Sequence, residues 1–263
     1  MRVLLCNDDG IDAPGLRYAV QALSAYKCEV VAPMTDQSGS SHSTSTGDVP
    51  IRVYQRPYEG GTATVVAGTP ADAVKFKLSH TAEKFDVMVS GINAGENGGL
   101  SHYYSGTVAA AREAAIRGVP AVSVSVWRAD PKQFEAAGRF LRSWLPRWFG
   151  GDHHPRRPTG PILLNVNFPD RDPDDVKGVR IARQSMAYFD DVFHPTSDAG
   201  NDMEYQVVFG EKKSEHISHG SDDWALREDY ITVVPLRLDA TCAVGVDWLE
   251  GLHDAAPIFH EEP

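Results

Sequence analysis

The feature that most constrains this chain is an apolar strand that ends on two adjacent acids. Residues 2–6, Arg-Val-Leu-Leu-Cys, do not alternate between apolar and polar, which is typical of a strand covered on both faces in a parallel sheet. A glycine- and proline-containing turn follows at 10–15, and apolar residues at helical spacing follow at 16–25. This order of strand, turn and helix predicts an α/β fold.

Asp8 and Asp9 come directly after that strand, where ligands bind in open α/β sheets. Two carboxylates about 4 Å apart repel by roughly 4 kcal/mol at an effective dielectric of about 20. Either one of them keeps its proton, or a cation lies between them. A hard divalent cation with oxygen ligands suits the pair best. The alternative is that the acids are solvated and Asp-Gly is only a turn signal.

Composition bounds the class of protein. At 263 residues the chain is long enough for one large α/β domain or a core with an extension. No apolar run approaches the roughly 20 residues of a membrane helix, and Asn7 interrupts the first run too early for a secretory signal, which predicts a cytoplasmic protein. The net charge of −11 argues against binding to a nucleic acid polymer or an anionic membrane. Cys6, Cys28 and Cys242 lack paired spacing and are predicted to be buried free thiols of a reducing compartment.

Two loops at the predicted ligand edge carry polar groups. Residues 34–48 follow the second strand and are dense in hydroxyls, among which Ser38 is best placed to ligate a metal or hold a phosphate. The same composition also suits a flexible linker. Residues 91–100 follow a buried strand and hold four glycines, which permit close approach to a ligand. Within that loop, Asn93 and Asn97 offer neutral oxygens or amide donors.

A helix start is the candidate anion site. Ser105 and Thr107 precede and open an alanine-rich helical segment at 108–117, and its first amides would face the ligand edge. The alternative is that this Ser-Gly-Thr sequence is only a helix cap. His153 and His154 have the residue type of a metal pair, although a solvated loop is favoured because no third ligand lies nearby.

The chain beyond Pro169 changes in character. It contains acidic, proline-containing turns and three further strand candidates at 179–182, 205–209 and 230–236. All three are expected to belong to an appended region. The candidates at 205–209 and 230–236 have little nearby sequence to pack against, so we expect this region to need a neighbouring subunit.

Taken together, the motifs of this chain closely resemble the SurE family of metal-dependent nucleoside-monophosphate phosphatases. The matching segments span nearly the whole chain: Asn7 to Gly15, Val30 to Pro33, Gln37 to Gly39, Gly68 to Val74, Ser90 to Asn97, Tyr104 to Ala111, and Ser221 through Tyr230 to Leu236. Any one of them alone would be weak, but together they are specific.

The resemblance implies a Rossmann-like catalytic core at 1–169 and a β-rich extension at 170–263 that packs on a partner subunit, giving a homodimer or homotetramer. It also implies one divalent metal per subunit, magnesium or manganese. The implied metal ligands are Asp8, Asp9, Ser38 and Asn93. The implied substrate-binding residues are Asn97, Ser105, Gly106 and Thr107. Gln37 and residues 98–103 depart from the family's usual pattern, which affects substrate choice more than chemistry.

The expected chemistry is hydrolysis of nucleoside 5'- and 3'-monophosphates, with Asp8 and Asp9 as the catalytic residues. A bound cation would neutralise phosphate charge and lower the pKa of a water, while one acid orients or deprotonates that water. A phosphoaspartyl intermediate is an open alternative. Two other functions also stay open: a phosphatase of a specialised phosphorylated metabolite, and a non-catalytic nucleotide-binding homo-oligomer. The two acids favour catalysis, because they would hinder anion binding unless a cation bridges them.

Overall fold

The computed structural model describes residues 1–150, 160–199, 202–208 and 210–253. The strands are β1 (Arg2–Cys6), β2 (Lys27–Pro33), β3 (Val53–Tyr58), β4 (Gly61–Val66), β5 (Val87–Ala94), β6 (Ala121–Val126), β7 (Leu163–Asn167), β8 (Val179–Ile181), β9 (Val192–Ala199), β10 (Asp202–Val208) and β11 (Ile231–Leu236). The α-helices are α1 (Pro14–Ala22), α2 (Pro70–Ser79), α3 (Gly106–Ile116), α4 (Pro131–Phe149), α5 (Asp222–Arg227) and α6 (Ala243–His253). His153 and His154 lie outside the described residues.

Nine of these strands form one sheet in the order β3-β4-β2-β1-β5-β6-β7-β11-β8. Within it, β1 pairs in parallel with β2 and with β5, and the parallel run continues through β6 to β7. Antiparallel pairing occurs where β3 meets β4 and where β11 meets β7. The predicted α/β fold with a mostly parallel sheet is therefore confirmed.

The core lies on both faces of the sheet, as the non-alternating sequence of β1 predicts. Val3 and Leu5 pack into a cluster with residues of α1 and α4, whereas Leu4 and Cys6 pack into the opposite cluster with residues of α2 and α3. All four side chains are fully buried. Because each buried leucine contributes about 1.5–3 kcal/mol, β1 is firmly anchored, and the acids after it are held at a fixed edge.

The chain after residue 169 contributes to the main sheet. β11 pairs antiparallel with β7, β8 pairs with β11, and Val233 and Val234 are buried within the chain's own core. The expectation that residues 230–236 lack a packing partner within the chain is therefore wrong, because they complete the core sheet. The division at residue 169 stays a prediction.

β9 and β10 form a separate two-stranded antiparallel hairpin, which we call the arm. Cys6, Cys28 and Cys242 are free thiols, as predicted, but the expected burial is wrong for two of them, because Cys28 is half-buried and Cys242 is exposed. Among the described residues, no helix is both long and apolar enough to cross a membrane.

Candidate active site

The two acids and the glycine-rich loop meet at the carboxyl edge of the central strands. Cys6, the last residue of β1, is in register with Ser90 of β5, so Asp8 and Asn93 lie beyond the same point of neighbouring strands. Asn93 in turn pairs with Ser125 of β6. The predicted placement of both segments at one edge follows from this parallel register.

The start of α3 packs directly on Asp8. The Thr107 hydroxyl donates a hydrogen bond to Asp8 Oδ1, and Asp8 is only 3% exposed. Gly106 fits between Asp8 and Ser40 because it has no side chain. A Cβ at this position would lie 2.8 Å from Asp8 Cβ and 3.0 Å from Ser40 Oγ. The structure thus joins the acids to the predicted anion-binding segment.

Ser105 serves as the N-cap of α3, as its hydroxyl accepts a 3.1 Å hydrogen bond from the Val108 N–H. The structure therefore shows a capping role for the Ser105 side chain. Thr107 directs its hydroxyl at Asp8, and its backbone N–H also acts to lower the Asp8 pKa. Thr107 consequently orients an acid.

Asp36 is a site residue that the sequence reasoning missed. Its Oδ1 accepts hydrogen bonds from Ser38 N at 2.7 Å and Ser38 Oγ at 2.6 Å. The neighbouring Gln37 N donates to the Asp8 carbonyl at 2.8 Å, which ties this loop to the end of β1. The Asp-x-Ser spacing is typical of such a local turn and was the available signal. Because the Ser38 hydrogen is used by Asp36, the lone pairs of Ser38 Oγ remain for a ligand.

The surroundings of the two acids disfavour their charged forms. Burial raises the pKa of Asp8, opposed by the hydrogen bond from Thr107. Burial and then the charge of Asp8 raise the pKa of Asp9 to about 7, opposed by the Ala94 N–H. The charge of Asp36 raises both pKa values further. Neither Asp8 nor Asp9 forms an ion pair with a basic residue of the described ranges.

The donor set fits a hard divalent cation. No group of three or more His, Cys, Asp or Glu side chains in the described part of the chain is arranged to hold a metal, so a cation here needs hydroxyl and amide oxygens beside the two acids. Asn93 Nδ2 donates to the Gly95 carbonyl at 2.7 Å, which leaves its Oδ1 as the ligating end. Asn7 Oδ1 and Ser40 Oγ are buried, with no hydrogen-bond partner among the described residues. These oxygens suit a cation or its bound water.

Asn97 is held by three side chains from the ends of β6 and β7, which the sequence reasoning also missed. Its backbone N–H donates to Asn167 Oδ1 at 2.7 Å, and its carbonyl accepts from Asn165 Nδ2 at 2.8 Å. Its own amide donates to Ser125 Oγ at 2.9 Å. This network fixes Asn97 at the rim of the same edge.

The fold and this polar edge define an α/β protein with two adjacent acids, oxygen-rich loops and a helix N-terminus gathered at the carboxyl end of a parallel sheet. Comparison with known proteins then identifies the family. The family model described as survival protein SurE matches residues 3–191, and the chain belongs to this family.

Curated relatives and a solved structure agree with that assignment. The chain is 39% identical over 249 residues to 5'-nucleotidase SurE of Desulfatibacillum aliphaticivorans, covering 92% of this chain and 94% of the relative. It is 38% identical over 270 residues to 5'-nucleotidase SurE of Anaeromyxobacter sp. (strain Fw109-5), covering 100% and 99%. The crystal structure of the SurE protein from Aquifex aeolicus superposes with a TM-score of 0.76 at 29% identity, covering 95% of this chain and 100% of that one.

Proposed function

We propose that this protein is a divalent-metal-dependent phosphomonoesterase that hydrolyses nucleoside 5'-monophosphates, and also 3'-monophosphates, to nucleoside and phosphate. The observation that carries the proposal is the buried acid Asp8, which has no cationic partner among the described residues and is bonded to Thr107 at the start of α3. An acid pair beside a helix N-terminus suits joint binding of a cation and a phosphate. The name 5'-nucleotidase carried by the relatives supports the substrate class.

Four side chains would hold one magnesium or manganese ion: Asp8, Asp9, Ser38 and Asn93. When bound, that ion would supply charge neutralisation for the phosphate and lower the pKa of a water molecule. Asp36 would position Ser38 through the bonds to its N and Oγ.

The two acids have different surroundings, which suggests different roles. Asp8 is fixed by Thr107 and packed against Gly106, so its orientation is set. Asp9 is less buried than Asp8, and no side chain among the described residues donates a hydrogen bond to its carboxylate. Asp9 is therefore the better candidate to accept a proton from the attacking water, or to attack phosphorus itself.

Phosphate binding would fall to the loop at Asn97 and to the start of α3 beside Asp8. The backbone at Ser105 and Gly106 opens α3, where partial positive charge favours an anion. The Asn97 amide, fixed by its neighbours, would supply a further contact to a phosphate oxygen. These groups bind and orient the monoester for displacement of the leaving alcohol.

We also propose that the chain works as a cytoplasmic homodimer or homotetramer and binds neither a nucleic acid polymer nor a membrane. The net charge of −11 supports the last two points. The arm presents Phe193, Tyr205 and Val207 on one face at 47–64% exposure, an apolar surface suited to a second copy of the chain.

The test is phosphate release from 5'-AMP, 3'-AMP and non-nucleotide monoesters, with chelator or with added magnesium or manganese. We expect metal-dependent release, fastest with nucleotides. Asp12→Asn is a matched control, because Asp12 is an exposed acid near the pair that is already bonded to Arg56. Nucleotide binding without release from any substrate would instead identify a non-catalytic nucleotide-binding oligomer. Preference for another monoester would identify a phosphatase of a specialised metabolite.

A further inference from the structure

A buried ion cluster lies beside the proposed active site and is not part of it. Lys212 Nζ is 2.7 Å from Glu96 Oε1 and 2.6 Å from Asp223 Oδ1, and it donates to the Gly98 carbonyl at 3.0 Å. The side chains of Lys212, Glu96 and Asp223 are only 8%, 4% and 4% exposed. All three ammonium hydrogens thus have an acceptor, so the geometry around this lysine is fully determined.

Such a cluster is poorly explained as a source of stability. Removing charges from water costs about as much as their attraction returns, so buried ion pairs contribute little net free energy of folding. Burial acts to lower the pKa of Lys212, but Glu96 and Asp223 outweigh it and raise the pKa, so the lysine stays charged. What the cluster provides is a fixed arrangement of the segments that it joins.

Those segments enclose Asn97 on both sides. Glu96 precedes Asn97 and Gly98 follows it, and both bind the same ammonium group. Glu96 Oε2 also accepts a 2.5 Å hydrogen bond from the Gly98 N–H, which closes the loop around Asn97. Asn97 itself is hydrogen-bonded to residues of β6 and β7. Lys212 fixes the two residues that flank Asn97, so the loop is anchored from both directions.

The start of α5 also fixes Gly99, the residue after Gly98. Asp222 Oδ2 accepts a 2.9 Å hydrogen bond from the Gly99 N–H, and the Asp223 carboxylate occupies the space that a Gly99 side chain would need. Gly99 has φ +56°, which favours glycine. The tight fit shows that the loop is shaped to receive these acids.

We propose that Lys212 is a positioning residue for the active site: it fixes the loop that presents Asn97 to the substrate phosphate. This inference rests on the proposed function, in which Asn97 contacts phosphate. Lys212 is too buried to touch the substrate itself, so it acts through Glu96 and Gly98. It lies in the segment that follows the arm, far from Asn97 in sequence.

The test is Lys212→Met in the full chain, compared with Lys213→Met. Lys213 is the matched control, because it is the adjacent lysine and pairs with Asp190 at 2.5 Å near the surface. For Lys212→Met we expect KM for 5'-AMP and the inhibition constant of inorganic phosphate to rise together by roughly tenfold, about 1.4 kcal/mol. The metal concentration for half-activation should not change, and Lys213→Met should match the parent.

A purely structural role would give a different result, because partial unfolding lowers the active fraction and hence the maximal rate while leaving KM unchanged. A fall in maximal rate alone, or unchanged KM and phosphate inhibition, would overturn the proposal. If Lys212→Met fails to fold, the triple variant Glu96→Gln, Lys212→Met, Asp223→Asn decides, since it leaves no uncompensated charge at these three positions. Weaker phosphate inhibition in the triple variant supports the proposal, and parental values refute it.

The failure of the proposed function would be distinguishable. If the parent released phosphate from no monoester, calorimetric titration of inorganic phosphate into parent, Lys212→Met and Lys213→Met proteins, each with magnesium, would still measure the anion site. Binding weakened about tenfold only in Lys212→Met would then retain the positioning role. Equal binding in all three, or no phosphate binding by the parent, would reject it.

Discussion

Replacing Asp9 by asparagine should stabilise the metal-free protein. The pKa of this carboxyl is raised from 3.8 to about 7, chiefly by burial and by the charge of Asp8. At 1.36 kcal/mol per pKa unit this gap corresponds to ~4 kcal/mol, and water that still reaches Asp9 reduces the expected gain to about 2 kcal/mol. Below about pH 4 this carboxyl is protonated in both the folded and the unfolded state, so it does not affect the free energy of unfolding. Between about pH 4 and pH 7 the unfolded state loses the proton more readily, so the free energy of unfolding falls as pH rises, and it levels off above about pH 7.

The assay is urea unfolding of parent and Asp9→Asn proteins in chelator at pH 4 and pH 7.5. We expect equal stabilities at the lower pH and a more stable variant at the higher one. Saturating magnesium should then stabilise the parent by about 2.7 kcal/mol at one hundred times its dissociation constant, and should stabilise the variant far less. Both Asp9→Asn and Asp8→Asn should lose metal-dependent phosphate release. A variant less stable than the metal-free parent at pH 7.5, or one with full activity, would refute the reasoning.

Three further predictions concern other parts of the molecule. Thr107→Val should lower kcat, because Asp8 loses its orienting hydrogen bond, whereas Ser105→Ala should lower the free energy of unfolding by about 1 kcal/mol, because a helix cap is lost. Kinetics and thermal melting of both variants test this prediction, and normal kinetics in Thr107→Val would contradict it. Burial lowers the pKa of His102 from 6.5, so folding stability should fall as pH drops below 6.5. His102→Phe should flatten that slope, by at most about 1.4 kcal/mol per pH unit, in denaturant titrations. Light scattering should find the full chain at least dimeric at micromolar concentration. The double variant Phe193→Ser, Val207→Lys should be more dissociated than the parent, since both side chains are exposed on the arm. A monomeric parent would count against the arm as an interface.

Local sequence patterns predicted the fold where burial imposes a clear signature. Leu4 and Leu5 point to opposite faces of β1 and are both buried, so the strand could not alternate, and that absence predicted a parallel sheet. Parallel register then placed Asp8 and Asn93 at one edge. The strand at 230–236 was placed wrongly, because antiparallel pairing with β7 joins segments more than sixty residues apart and leaves no local pattern.

The supports of the site were harder to predict than its acids. Asn165 and Asn167 follow the pattern of a buried strand, and nothing in their own segment indicates that they bind Asn97. Lys212 likewise lies in a charged stretch typical of solvent exposure, yet it is buried because acids from two other segments surround it. Such contacts depend on which distant segments the topology brings together.

The arm leaves and rejoins the protein at a single point. Asp190 N donates to the Glu211 carbonyl at 3.3 Å, and Lys213 N donates to the Tyr188 carbonyl at 3.0 Å, so the two ends of the arm are already joined. The arm is thus an insertion between strands of one continuous sheet, because β11 follows it and still completes that sheet. Shortening or lengthening the arm therefore leaves the sheet's connectivity unchanged, so the arm can differ among related proteins while the edge that carries the acids keeps its shape.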